Sequence, residues 1–112
     1  MPAEGWIECS LMTFEQFHIS LKDQAPPAGV SPALSALWWD GKGDWTRAHD
    51  IAQSVGEQGS ARDAAWVHAY LHRKEGDAEN SRYWYRQAGQ PVPQTTLDEE
   101  WERIVLAFLS KA

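Results

Sequence analysis

The sequence predicts an all-α fold of about six short helices, and three observations indicate it. Capping residues recur in front of apolar positions that repeat with helical spacing. Glycine and proline clusters separate these stretches at short intervals. No stretch shows the apolar and polar alternation, rich in β-branched residues, that is typical of a strand. Short connections favour antiparallel neighbours, so we expect the helices to pack in pairs.

Five of the six predicted helices have an identifiable capping residue at the start. The six helices are predicted at about 13–24, 32–41, 45–55, 61–75, 78–88 and 97–110. The residues that suit their N-terminal caps are Thr13 with Gln16, Ser31 before Pro32, Asp44, Asp77, and Thr96 with Glu99. We expect a loop at 56–60, and a flexible N-terminal extension at 1–12 ahead of a single domain at 13–112.

One unit in the middle of the chain occurs twice. Residues 36–56 and 69–89 are 33 positions apart, and each carries Gly-Asp in the middle and Gly at the end. Glycine permits a left-handed helix end, and the following aspartate suits the start of the next helix. We therefore expect two helical hairpins, at 31–56 and 61–89, flanked by an N-terminal and a C-terminal helix.

The second helix of each hairpin resembles the tetratricopeptide repeat. The resemblance is carried by Gly43-Asp44-Trp45 with Ala48, Ala52 and Val55, and by Gly76-Asp77 with Ser81, Tyr85 and Ala88. The first helices depart from the family pattern, because neither has a large, a small and an aromatic residue in one register. The resemblance implies stacked hairpins with one face available as a groove. The chain is also similar to short uncharacterised bacterial proteins built around WVHAYLHRKEGD and YWYRQAG.

Charge and composition exclude several classes of protein. The net charge is −6 and the basic residues are scattered, which argues against a nucleic-acid partner. No apolar run approaches the roughly 18–20 residues of a membrane span. The single cysteine, Cys9, supports neither an internal disulfide nor a cysteine-rich zinc site. We expect a cytoplasmic protein, monomer or homodimer, without a cofactor.

The seven tryptophans are many for 112 residues. A small domain uses large aromatic side chains to bury enough surface, and this is the expected role of most of them. Tryptophan also anchors interfaces, so a homodimer contact is a second interpretation.

Two histidines supply the candidate site. His68 and His72 are four residues apart, and Glu75 follows on the same side of the predicted helix. Two imidazoles and a carboxylate are zinc ligands, although the H-E-x-x-H arrangement is missing because position 69 is Ala. The alternative is a half-exposed pair beside the apolar stripe. His18 and His49 join this pair only if the fold brings them together.

Two functions remain open from the sequence. The first is a non-enzymatic module that binds a protein or peptide, with Trp39 beside His68, His72 and Glu75 on one face of stacked hairpins. The second is a metal- or small-molecule-binding protein, or an enzyme, that uses His68, His72 and Glu75. Neither a nucleophile elbow nor a phosphate loop is found in the sequence, so the motifs do not support catalysis.

Overall fold

The computed structural model describes residues 12–54 and 61–110, and these residues form six α-helices and no strand. The helices are α1 (Phe14–Ile19), α2 (Pro32–Gly41), α3 (Trp45–Ser54), α4 (Ala61–Glu75), α5 (Ala78–Ala88) and α6 (Leu97–Leu109). The all-α class is confirmed. None of the helices in this part of the chain is long and apolar enough to cross a membrane. The predicted loop at 56–60 and residues 1–11 lie outside the described residues.

Helix α1 is shorter than the predicted 13–24, and it continues as a 3₁₀ turn at Ser20–Lys22. The hydroxyl of Ser20 donates to the carbonyl of Phe17 at 2.6 Å and accepts the indole N–H of Trp38 at 3.0 Å. A side chain that bonds to nearby backbone competes with helix propagation. Ser20 therefore marks the change from α-helix to 3₁₀ turn and ties that turn to α2.

The predicted caps form the expected hydrogen bonds. Thr13 and Thr96 each close a capping box with the residue three positions later. Asp44 accepts the N–H of Arg47 at 3.0 Å, and Asp77 accepts the N–H of Asn80 at 3.2 Å. The glycines before these two aspartates both have φ of +90°, which a residue with a side chain rarely adopts. The helix starts predicted from Gly-Asp are confirmed.

Helix α4 is central to the domain. It packs against α2, α3, α5 and α6, while α2 pairs with α3 and α1 packs against α6. Because neighbours cover α4 on several sides, its buried residues extend around the helix rather than along one stripe. They are Ala64, Ala65, Val67, His68, Ala69, Tyr70, Leu71 and His72. The expectation of half-exposed histidines was wrong, since His68 is 6 % exposed and His72 is 7 % exposed.

Two buried carboxylates help to position α4. Asp40 of α2 pairs with Lys74 at 2.9 Å and accepts the Tyr70 hydroxyl at 3.2 Å. Glu100 of α6 pairs with Arg73 at 2.7 Å, and it also accepts the hydroxyl of Tyr85. Lys74 and Arg73 are adjacent in sequence and reach opposite neighbours of α4. Burial raises the pKa of both tyrosines, and their carboxylate partners raise it further, so both hydroxyls remain donors.

Candidate functional site: a three-histidine cluster

Three histidines from two helices meet between α3 and α4. His49 lies on α3, and His68 and His72 lie one turn apart on α4. The Nε2 atoms of His49 and His68 are 3.0 Å apart, and one ligand atom from each of the three rings lies within 4.8 Å of the others. Imidazole nitrogens this close are arranged like ligands of a single metal ion.

The packing of α3 on α4 explains why these three side chains converge. The two helices run antiparallel, because Trp45 meets Leu71 and His72 while His49, one turn later, meets His68. The indole N–H of Trp45 donates to the carbonyl of Leu71 at 2.9 Å, which fixes the register. Spacing of four residues then puts His68 and His72 on the face of α4 that His49 contacts.

Glu75 holds one ring of the cluster. Its carboxylate oxygen lies 2.7 Å from Nδ1 of His72. An ionised carboxylate only accepts hydrogen bonds, so Nδ1 of His72 donates to it and Nε2 is the ring nitrogen left for a metal. A carboxylate behind a histidine in this way is a common second layer of metal sites, where it fixes the tautomer and the ring orientation.

Aromatic rings enclose the cluster. Trp45 stacks on His49 with ring centroids 4.9 Å apart and meets His72 edge-on at 6.2 Å. Trp84 of α5 stacks on His68 at 4.1 Å. The rings of His68 and His72 are themselves stacked at 4.8 Å. Each imidazole of the cluster therefore packs against at least one tryptophan ring.

The surroundings of His49 and His68 favour the neutral form of these two imidazoles. Burial lowers the pKa of His68 to about 4, and the neighbouring His49 and His72 lower it further in the same direction. Burial also lowers the pKa of His49, followed by the effect of His72. A neutral imidazole is the form that coordinates a metal.

A cleft of about 250 Å³ adjoins the cluster on one side. Its walls come from α3, α4 and α5, and the residues that form them are Ala52, Gln53, Ala61, Ala64, Ala65, His68 and Trp84. His68 therefore belongs to both the cluster and the cleft.

The structure brings together three of the four residues predicted for binding, His68, His72 and Glu75. Trp39 has other partners: its ring packs edge-on against Trp38 at 4.8 Å, and the Arg47 guanidinium lies 4.1 Å above it. The tryptophan in ring contact with His72 is Trp45. His18, the other histidine considered, stacks on Phe14 and meets Trp101.

Sequence reasoning did not place His49 in the site. His49 does not belong to any sequence motif with His68 and His72. The three residues come together only through the antiparallel register of α3 on α4. The one usable signal was that Trp45 and His49 share a face of α3, being four residues apart like His68 and His72.

Comparisons of the chain with protein-family models, curated proteins and solved structures found no match.

Proposed function

We propose that this protein binds a divalent transition metal, zinc in the first place, through His49, His68 and His72. The observation that carries the proposal is the convergence of three imidazole nitrogens within 4.8 Å of one another. Three histidine ligands with a further position for water or another donor is a known zinc arrangement.

The distances are compatible with a zinc ion after small shifts. Zinc–nitrogen bonds of about 2.0–2.1 Å in a tetrahedral site put neighbouring nitrogens about 3.3 Å apart. His49 and His68 are at 3.0 Å, and the largest separation within the cluster is 4.8 Å or less. Rotating the imidazole rings so that each nitrogen moves by a few tenths of an ångström to about an ångström would bring these separations to the value that a tetrahedral zinc site requires.

The surroundings support binding through neutral nitrogen donors. The lowered pKa values of His49 and His68 keep both rings uncharged at neutral pH. Glu75 leaves Nε2 of His72 as its available acceptor. Imidazole donors also suit Cu²⁺, Ni²⁺ and Co²⁺, so the site class is a nitrogen-liganded transition metal rather than Mg²⁺ or Ca²⁺.

The direct test is calorimetric titration of zinc into chelator-treated protein. One zinc per chain is expected, with affinity reduced by at least about tenfold in each of His49→Ala, His68→Ala and His72→Ala. The matched control is His18→Ala, because His18 is exposed and lies against α6 instead. Zinc binding that is equal in the wild type and all three site variants would overturn the proposal.

A second candidate, binding of a protein or peptide, has support from one feature of the same region. Tyr83 is 46 % exposed, and its ring meets Trp84 edge-on beside the cluster. Exposed aromatic side chains next to a cleft commonly anchor a partner. A peptide selected against the protein from a random library should lose affinity on Tyr83→Ala and keep it on Arg82→Ala, the exposed neighbour.

A further inference from the structure

The alanine-lined cleft continues the line of contacts that forms the histidine cluster. Trp45 faces His72 and His49 faces His68 across the antiparallel pair of helices. One turn further along, Ala52 of α3 and Ala65 of α4 both line the cleft. The cluster therefore lies between Trp45 on one side and the cleft on the other.

Small side chains create the cleft. Four of its residues are alanines, on α3 and on the first half of α4: Ala52, Ala61, Ala64 and Ala65. Protein interiors are close-packed, and larger residues at these positions would fill the space. The indole of Trp84 supplies one wall, so the space accepts an apolar group rather than a charged one.

The cleft borders the proposed coordination sphere at His68, the one proposed ligand that lines it. Three imidazoles leave a fourth position at a tetrahedral metal. Trp45 covers the side of the cluster towards Leu71, because it stacks on His49 and is tied to the Leu71 carbonyl. His68 lines the cleft on the opposite side, so a fourth donor enters from there.

We infer that the metal site takes a small ligand whose single donor atom completes the coordination and whose apolar group occupies the alanine-lined cleft. This inference rests on the proposed metal binding. The ligand class is an uncharged or anionic molecule that carries one nitrogen, oxygen or sulfur donor on a short hydrocarbon body. When no such ligand is present, a water molecule would occupy the fourth coordination position of the metal.

Cobalt provides the test, because the visible absorption of Co²⁺ reports its ligands while the ion replaces zinc. The probes are N-butylimidazole and N-methylimidazole, which present the same donor and differ in the hydrocarbon chain. The cobalt-loaded protein should bind N-butylimidazole at least tenfold more tightly, as expected when about two methylenes leave water. Ala61→Leu and Ala65→Leu should remove this preference for the longer hydrocarbon chain.

Ala78→Leu is the matched control, because Ala78 is exposed at the start of α5 and does not line the cleft. Ala61 is exposed as well, so its variant tests the cleft even if the buried Ala65→Leu fails to fold. Equal affinities for the two imidazoles, or a preference that persists in Ala61→Leu, would overturn the inference while leaving the metal site standing. Failure of cobalt itself to bind would overturn the metal site, and this inference with it.

Discussion

Nε2 of His49 and Nε2 of His68 lie 3.0 Å apart although the two residues belong to different helices and are 19 positions apart in the chain. Two nitrogens at this distance share one hydrogen in the metal-free protein, so one ring donates and the other accepts. Protonation of both rings would put two donors against each other. The pair therefore couples the charge of the site to the packing of α3 on α4.

The stability of the metal-free protein should depend on His68 between pH 6.5 and about pH 4. Burial lowers the pKa of His68 from 6.5 to about 4, so the unfolded chain binds more protons than the folded one within this window. Stability is then complete above about pH 6.5 and falls with decreasing pH down to about pH 4. The full shift corresponds to about 3 kcal/mol.

Urea unfolding of chelator-treated wild type and His68→Phe at several pH values measures this effect. Phenylalanine keeps the stacking on Trp84 and removes the titrating group. The difference in unfolding free energy between the two proteins should change across the window, because carboxylates that titrate in both proteins cancel. A difference that stays constant from pH 7 to pH 4 would contradict the lowered pKa.

Glu75→Ala should weaken zinc binding, because it removes the oxygen that accepts the Nδ1 proton of His72. Removal of such a partner commonly reduces metal affinity by about 10–100-fold. Glu79→Ala is the control, because Glu79 is an exposed acidic residue in the first turn of α5. Competition with a zinc indicator dye gives both affinities. Identical affinities would show that the Glu75 contact does not orient His72.

Asp44→Ala and Asp77→Ala should each lower the unfolding free energy by about 0.5–2 kcal/mol. Each carboxylate accepts a backbone N–H at the start of its helix, at 3.0 Å for Asp44 and 3.2 Å for Asp77. Asp50→Ala, on the exposed face of α3, should leave stability unchanged or slightly higher. Urea midpoints that match the wild type in both cap variants would argue against these helix starts as stabilising elements.

Arg73→Met should be strongly destabilising, because it leaves the carboxylate of Glu100 buried without its cation. Glu100 is 1 % exposed, and Arg73 is its partner at 2.7 Å. Breaking a buried pair on one side costs about 3–5 kcal/mol. Adding Glu100→Gln to Arg73→Met should recover part of this loss, since the buried charge is then gone. Arg82→Met, an exposed arginine on α5, should change stability by less than about 0.5 kcal/mol.

Local chemistry allowed most of the fold to be predicted. Threonine, serine and aspartate at helix starts, and glycine at helix ends, act on the residues next to them, so Thr13, Ser31, Asp77 and Thr96 were identifiable without the structure. The bounds of α2 and α5 and the end of α4 follow from these signals. The length of α1 could not be predicted from local signals. Its end is accompanied by a contact between Ser20 and Trp38, which are 18 residues apart in the chain.

The sequence by itself determined the all-α class, the helix starts, and one pair of the site, since His68 and His72 share a helix face through their spacing alone. Only the tertiary structure decided the third imidazole and the aromatic surroundings. His49, Trp45 and Trp84 reach the pair because α3 and α5 both pack against α4, and the register of one helix on another depends on contacts distributed over both surfaces. The burial of the histidines has the same origin: a helix covered on several sides buries residues that one amphipathic stripe would leave half exposed.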